Sequence, residues 1–238
     1  MTMKLGPHIS QQYNEELEDI RNQVLTMGGL VEQQLADAVT ALMNGDSELG
    51  HQVVTRDYKV NSMEVAIDEG CSRVLARRQP AASDLRLIVA VIKTITDLER
   101  IGDQAERVAS NAVRLAEGAS TRAPHLELQH LGVLVREMLH GALDAFARMD
   151  PEAAVEVVRR DIRVDQEYES VMRQLITFMM EDPRTITPCT HLLFMAKNLE
   201  RIGDHATNIA ENAWFLLHGE PPPEPRDKRD GTAAAAPP

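Results

Sequence analysis

Two pairs of carboxylates stand at matching places in a repeated hexapeptide. Glu99 and Asp103 lie in a Leu-Glu-Arg-Ile-Gly-Asp segment, and Glu200 and Asp204 lie in an identical segment 101 residues later. In a helix, side chains four residues apart are neighbours on one face, so the carboxylates of each pair repel each other. A cation between them would relieve that repulsion. Because oxygen ligands suit hard cations, the pattern favours Mg²⁺, Ca²⁺ or Mn²⁺, and it can also hold iron.

Further oxygen ligands precede each hexapeptide at helical spacing. If the helix that carries them lies beside the hexapeptide helix, the two groups face each other across one surface. The predicted metal ligands are Asp57, Asn61, Glu99 and Asp103 at a first site, and Asp161, Asp165, Glu200 and Asp204 at a second site. The second site has four carboxylates where the first has three and an amide. We therefore expect the second site to bind a metal ion more tightly.

An alternative interpretation is that these carboxylates form a solvated helix flank balanced by Arg100, Arg107 and Arg201. Acidic pairs four residues apart are common, but acids at the same places in both segments favour a shared role. Asn208, one turn beyond Asp204, could add an oxygen to the second site. At the equivalent place in the first segment, Arg107 would instead repel a cation.

Catalytic chemistry has little support in the sequence. Glu99 and Glu200 are each followed three residues later by glycine, so the Glu-x-x-His motif of ferritin-like di-iron proteins is absent. There is no glycine-rich phosphate loop and no convincing Ser/His/Asp cluster. His205 is a weak candidate ligand, because Gln104 stands at the equivalent place. We predict a protein that is not an enzyme and has no catalytic residues.

The hexapeptides belong to a long internal duplication. Residues 98–112 and 199–213 share ten of fifteen positions, and the preceding segments match at an offset of 104 residues. Apolar residues recur every three or four positions, which predicts helices separated by turn signals. Gly102 lies within this apolar pattern, although glycine destabilises the interior of a helix. We therefore expect it to have a packing reason, the close approach of a neighbouring helix. The predicted fold is all-α, a tandem repeat of two three-helix bundles with six long helices.

The turn signals also predict the domain boundaries. Asn44-Gly45, Gln79-Pro80, Asp150-Pro151 and Pro183 separate the predicted helices, and the second helix is expected to run from Ser47 to Gln79. The predicted segments are a leader at 1–9, a first repeat at 10–118, a linker at 119–124, a second repeat at 125–219 and a disordered tail at 220–238. The tail is predicted to be disordered because it is rich in proline and charge.

Composition limits the classes of function. The formal net charge of −12 argues against a nucleic-acid-binding protein and fits cations or basic partner surfaces. Hydrophobic residues make up 43% and aromatic residues only 3%, which suits aliphatic helix packing. Cys71 and Cys189 have no metal or redox spacing, so we expect buried thiols in a reducing cytosol. We find no signal peptide and no apolar stretch approaching the ~18 residues of a membrane span.

The paired hexapeptides resemble those of the PhoU family, accessory proteins and negative regulators in bacterial phosphate signalling. The resemblance covers about residues 8–218. Other similar stretches are His8-Ile9-Ser10, Met27-Gly28-Gly29, Met63 to Glu69, Arg78-Gln79-Pro80, Ser83 to Leu87 and Asp165 to Glu169. The resemblance implies tandem three-helix bundles, and usually a homodimer.

It also implies a cytoplasmic adapter, peripheral to the inner membrane, between the phosphate ABC transporter ATPase and a sensor histidine kinase. Such an adapter keeps the phosphate regulon repressed when phosphate is plentiful and restrains uptake. Family members bind metal ions through acid-x-x-x-acid pairs, which map onto Glu99/Asp103 and Glu200/Asp204. Asn61 and Arg107 depart from the family pattern and predict a weaker first site. Two rival classes are a metal-buffering helical protein without a signalling role and a metal-dependent enzyme, although no dedicated base is present.

Overall fold

The helices follow the predicted order along the chain. The computed structural model describes residues 11–118 and 126–222. Its helices are α1 (Gln11–Asn44), α2 (Ser47–Arg56), α3 (Tyr58–Arg78), α4 (Ser83–Glu117), α5 (Leu126–Arg148), α6 (Pro151–Glu181) and α7 (Ile186–His218). A single 3₁₀ turn, Pro183–Thr185, joins α6 to α7. No strand occurs among the described residues, so the predicted all-α fold is confirmed.

The second predicted helix is interrupted once, at Asp57. This residue keeps helical dihedral angles (φ −56°, ψ −34°), so α2 and α3 continue in nearly one direction. The amide of Val60 donates to the Asp57 carbonyl at 2.9 Å, three residues back, which tightens the backbone locally. The equivalent helix of the second repeat, α6, is continuous. Two helix segments therefore replace the single helix that the apolar pattern predicted.

Short polar side chains begin two of the helices. Asp46 accepts a hydrogen bond from the Leu49 amide at 2.9 Å and caps α2. Asp150 accepts from the amides of Glu152 and Ala153, and Pro151 occupies the first helical position of α6 as expected. Helix α4 begins at Ser83, and the residue before it, Ala82, provides no side-chain cap.

Helices α1 to α4 form one bundle, helices α5 to α7 form the other, and α4 packs most extensively against α7. Aliphatic side chains on one stripe of each helix meet in a single continuous core, and many are fully buried. Examples are Val24, Val31, Leu35, Val91, Leu98, Leu139, Leu192 and Leu199. Each such side chain contributes roughly 1.5–3 kcal/mol by leaving water.

The two repeats are also joined by reciprocal contacts between α1 and α5. A Cβ atom built at Gly28 would lie 2.5 Å from Leu143 Cδ2, and one at Gly132 would lie 2.9 Å from Val39 Cγ2. Gly28 corresponds to Gly132, and Val39 to Leu143, at the offset of 104 residues. The same glycine-to-aliphatic contact is thus made twice, which relates α1 and α5 by an approximate twofold axis.

The remaining predictions about the chain have mixed outcomes. Both cysteines are free and buried, as expected, and burial raises the pKa of the Cys71 thiol to about 12. No described helix is long and apolar enough to cross a membrane. The predicted leader at 1–9, the linker at 119–124 and the tail from residue 223 lie outside the described residues. The boundaries of the two repeats stay predictions.

Candidate functional site

The glycine of each hexapeptide is where the preceding helix comes closest. A Cβ atom at Gly102 would lie 3.2 Å from Asp57 Oδ1 and 3.3 Å from Val60 Cγ1. One at Gly203 would lie 3.2 Å from Val164 Cγ1 and 3.9 Å from Asp161 Oδ1. The expected close approach therefore occurs in both repeats. It places one buried aspartate, Asp57 or Asp161, against each hexapeptide.

Asp57 of the first site is held by amides from two directions. Its Oδ1 accepts a hydrogen bond from Gln34 Nε2 at 2.8 Å, and its Oδ2 accepts from Asn61 Nδ2 at 3.4 Å. Gln34 Nε2 also lies 3.4 Å from the carbonyl oxygen of Gly102. Asp57 is only 8% exposed, so these donors offset the cost of burying a carboxylate.

The other carboxylates of the first site lie close enough to disturb each other. Glu99 and Asp103 are half-buried on α4. Burial, followed by the charges of Asp103, Glu64 and Asp57, raises the pKa of Glu99. Partial compensation comes from two arginines, because the charge of Arg100 lowers the pKa of Glu99 and Arg107 Nη2 lies 3.8 Å from Asp103 Oδ2. A carboxylate group with excess negative charge is what a divalent cation would stabilise.

Glu106 lies beside these carboxylates, although it is not among the predicted metal ligands. Burial, then the charges of Asp57 and Asp103, raises the pKa of Glu106. Glu99, Asp103 and Glu106 follow α4 at intervals of four and three, so they share one helical face. That spacing was a signal available in the sequence. It was missed because the second repeat has Thr207 at the equivalent position.

The second site contains a positively charged side chain, that of Lys197. Lys197 Nζ lies 2.8 Å from Glu200 Oε1, and the Glu200 side chain is only 14% exposed. The same Nζ lies 5.3 Å from the centre of the Tyr168 ring. Burial raises the pKa of Tyr168, the Lys197 charge lowers it, and Glu200 raises it. Lys197 therefore forms a direct ion pair with Glu200, whereas at Glu99 the charge of Arg100 acts without such a contact.

The other predicted ligands of the second site occupy the expected helices. Asp161 is buried on α6 at 4% exposure, and Asp165 is half-buried one turn further along. Asp204 is half-buried on α7 one turn after Glu200. The contact of Gly203 with α6 therefore holds the two helices together at this point, as it does in the first repeat.

Two candidates for the second site face another helix. Asp97 Oδ1 on α4 lies 2.9 Å from His205 Nδ1 and accepts a hydrogen bond from Asn208 Nδ2 at 3.0 Å. Both side chains therefore belong to the seam between α4 and α7. The expectation that Asn208 adds an oxygen at Asp204 is not supported by this arrangement. Which of the two sites binds a metal ion more tightly stays a prediction.

The first site has the ligand chemistry of a hard-cation site, but its side chains do not enclose one. Across residues 11–118 and 126–222, no three His, Cys, Asp or Glu side chains converge tightly enough to surround a metal ion. The fit therefore rests on crowded carboxylate oxygens, and burial, followed by the charges of neighbouring carboxylates, raises the pKa of Glu99 and Glu106. Glu99, Asp103 and Glu106 would have to turn toward one another, with water completing the shell.

The fold and the sites together define a class of protein, an all-helical tandem repeat in which each repeat carries acidic side chains on its hexapeptide helix. The PhoU domain model matches residues 24–112 and 128–213, one copy in each repeat. The chain therefore belongs to the PhoU domain family, and the resemblance drawn from the sequence is confirmed.

Individual relatives match along most of their length. The phosphate-specific transport system accessory protein PhoU of Escherichia coli is 52% identical over 220 residues, which cover 92% of this chain and 90% of the relative. The PhoU homolog of Pseudomonas aeruginosa is 52% identical over 215 residues, covering 90% and 89%.

Two crystal structures of family members have the same fold. PhoU from Pseudomonas aeruginosa superposes with a TM-score of 0.85 at 50% identity, covering 87% of this chain and all of that structure. The phosphate transport system regulatory protein PhoU from Streptococcus pneumoniae gives 0.80 at 30% identity, covering 87% and 98%. The relatives are accessory or regulatory proteins of phosphate transport, and none is named as an enzyme.

Proposed function

We propose that this chain is an accessory protein of phosphate transport that couples the transporter to phosphate-starvation signalling. In this role it is a cytoplasmic adapter that contacts the ATPase of the phosphate ABC transporter and a sensor histidine kinase. It keeps the starvation response repressed when phosphate is plentiful, and it restrains uptake. The observation that carries the proposal is the match, over nine-tenths of the chain at about half identity, to accessory proteins of phosphate-specific transport.

An adapter of this kind requires surfaces rather than catalytic groups. Long helices packed through a continuous aliphatic core give a rigid body that can transmit the state of one partner to another. Some polar residues between α4 and α7 are engaged with one another, as in the contacts of Asp97 with His205 and Asn208. We therefore propose no reaction for this protein.

A deletion strain tests the adapter role. Expression from a phosphate-starvation promoter is measured in phosphate-rich medium, with and without a plasmid copy of the chain. Loss of the protein should switch the promoter on, and the plasmid copy should restore repression. Binding of the purified chain to the transporter ATPase and to the kinase's cytoplasmic portion is then measured separately. An unchanged promoter together with no binding to either partner would reject the proposal.

We further propose that a divalent ion, Mg²⁺, Mn²⁺ or iron, binds the first site and tunes partner contact. The support is the crowding of Glu99, Asp103 and Glu106 without an adjacent lysine. Elemental mass spectrometry of the purified chain tests binding, with Glu99→Gln/Asp103→Asn as the variant. Tuning is tested by changing Glu99, Asp103, Glu200 and Asp204 together to alanine. If that variant binds the ATPase and the kinase as the wild type does, the tuning role is rejected and the adapter role stands.

The alternative is a metal-buffering protein without a signalling role. The crowded carboxylates of the first site are the observation in its favour. A buffer predicts that deletion changes the cell's metal content and leaves phosphate control intact, whereas the adapter predicts the reverse. We also propose a homodimer, which sedimentation equilibrium tests, and attachment to the inner membrane only through partners, which cell fractionation in a transporter-deficient strain tests.

A further inference from the structure

On one side of the approximate twofold axis, a groove lies open between α1 and α5. On the other side, which we call the bridged side, side chains cross between the same two helices. The open side encloses about 260 Å³. Its lining combines apolar residues (Ala36, Val39, Met43, Gly132 and Val133) with the polar side chains of Thr40, Asn44 and Gln129 and one cation, Arg136. None of these residues belongs to either acidic site, so the groove is independent of the proposed metal binding.

The bridged side shows which side chains connect α1 and α5 at the equivalent place. There, His140 of α5 crosses to α1, where its Nδ1 lies 3.1 Å from Glu32 Oε1. Arg21 adds a second crossing contact by donating to the carbonyl oxygen of Ala147. Side chains of the chain itself therefore bridge α1 and α5 on this side, through a hydrogen bond between a ring nitrogen and an acid, with the His140 side chain 63% exposed.

On the open side, the equivalent residues are changed in size and in charge. At the offset of 104 residues, His140 corresponds to Ala36, and Glu32 corresponds to Arg136. The histidine that bridges the two helices is thus replaced by an alanine, and the glutamate that it contacts is replaced by an arginine. A group that replaces the missing side chain must therefore carry the opposite charge to Arg136.

Nothing in the neighbourhood provides that charge. Among the described residues, no carboxylate forms an ion pair with Arg136. Residues 119–125, which precede α5, contain neither aspartate nor glutamate. In a chain with a net charge of −12, an arginine beside an apolar groove and without an acidic partner favours an acidic group from another molecule.

The volume decides between a small-molecule ligand and a side chain. Pockets for drug-sized ligands enclose roughly 300–1,000 Å³, and this groove is smaller and half open. One or two side chains fill about that space. We infer that the α1–α5 groove docks a segment of a partner protein, with an Asp or Glu side chain on Arg136 and an adjacent apolar side chain against Val39, Met43 and Val133.

Site-specific photo-crosslinking tests this inference in cells that express the full chain. A photoreactive amino acid replaces Val133, which is 41% exposed at the groove, and the linked peptide is identified by mass spectrometry. The expected peptide comes from another protein and has an Asp or Glu within a few residues of the linked position. Crosslinking should fall about tenfold in Arg136→Gln, which removes the charge, and in Ala36→His, which places the histidine of the bridged side at the equivalent position. Arg114→Gln, an exposed arginine on α4, is the matched control and should crosslink normally.

A binding measurement then confirms the charge. The identified peptide is synthesised with its acid and with the corresponding amide, and both are titrated against the wild type. The acidic peptide should bind about tenfold more tightly, and Arg136→Gln should remove the difference. The inference is overturned by a linked peptide without a nearby acid, by one from residues 119–125, by one from a second copy of this chain, or by the absence of any crosslink. Circular dichroism of both groove variants excludes misfolding as the cause of a loss.

Discussion

The two acidic sites have the same backbone frame and opposite charge compensation. Both use a hexapeptide glycine to bring α4 or α7 against a buried aspartate. Around that frame, several equivalent positions differ: Gln34 and Met138, Asn61 and Asp165, Glu64 and Tyr168, Thr96 and Lys197, Glu106 and Thr207, and Arg107 and Asn208. Glu64, Glu106 and Arg107 belong to the first site alone, whereas Asp165 and Lys197 belong to the second site alone. Duplication has preserved where the acids stand and has changed which cation balances them.

We propose from this difference that the balancing cations, and not the number of carboxylates in a motif, decide which site binds a metal ion more tightly. The second site has four predicted carboxylates, which made it the tighter site on sequence grounds. Lys197 already neutralises Glu200 there, at 2.8 Å. In the first site, burial and then the charges of neighbouring carboxylates raise the pKa of Glu99 and Glu106 instead, so we expect a divalent ion to have more to stabilise there.

The largest expected effect is on metal affinity. By isothermal titration with Mn²⁺ at pH 7, Glu99→Gln/Asp103→Asn should weaken the tighter binding event about 100-fold, because it removes two first-site ligands. Glu200→Gln/Asp204→Asn should weaken it by less than about threefold. The reverse order would restore the ranking that the carboxylate count predicted. Equal, small effects from both variants would remove both sites from metal binding.

The next effect is on stability, through the amide that holds Asp57. Gln34→Met copies Met138 of the second repeat and deprives the buried carboxylate of its 2.8 Å donor. A lost hydrogen bond to a charged group costs about 2 kcal/mol, so urea unfolding should show a free energy of unfolding lower by that amount. Gln33→Met, on the exposed neighbouring residue, should change it by less than about 0.5 kcal/mol. Equal losses in the two variants would mean that the amide of Gln34 has no special role at Asp57.

Much of this comparison could be predicted from the sequence, because it depends on local spacing. Helical periodicity, the Asp150-Pro151 start and the duplicated hexapeptide were sufficient for the all-α tandem fold. They also predicted the close approach at Gly102, since a helical glycine needs a packing reason. The break at Asp57 was not visible, because its backbone stays helical and only the hydrogen-bond pattern changes.

The charge compensation of the two acidic sites could not be predicted from the sequence, because it depends on contacts between residues that are distant in the sequence. The hydrogen bond from Gln34 to Asp57 spans 23 residues, and the contact between His205 and Asp97 spans 108. The sequence placed Asn208 one turn from Asp204 but gave no sign that it would point toward α4. Only Glu106 had a local signal, its three-residue spacing from Asp103.

Exchanging the lysine between the repeats should exchange the behaviour of the two sites. Lys197→Thr copies Thr96 and leaves Glu200 without its cation, so the free energy of unfolding should fall by about 1 kcal/mol without metal. The same change should raise Mn²⁺ affinity at the second site up to about tenfold, since a nearby positive charge is removed. Thr96→Lys should lower affinity at the first site by a similar factor. If neither change affects Mn²⁺ binding, compensation by Lys197 is not what distinguishes the sites.

The smallest expected effect is a pH-dependent gain in stability at Glu106. Its pKa in the folded protein is raised above the ordinary value of 4.5, by burial and by Asp57 and Asp103, so ionisation of Glu106 opposes folding at neutral pH. Glu106→Gln should therefore raise Tm at pH 7 by about 1–2 °C, a modest shift because the group is largely solvated. The gain should shrink as the pH falls through the raised pKa and should disappear below about 4.5, where both states are protonated.

The same measurement with saturating Mn²⁺ connects this pH dependence to the first site. If the ion relieves the repulsion in the wild type, the advantage of Glu106→Gln at pH 7 should vanish or change sign. Glu137→Gln, on the exposed face of α5, should show neither the pH dependence nor the response to Mn²⁺. A gain at Glu106 that persists unchanged at pH 4 would mean that glutamine packs better there. The crowding of charge at the first site would then lose its support, and so would the ranking built on it.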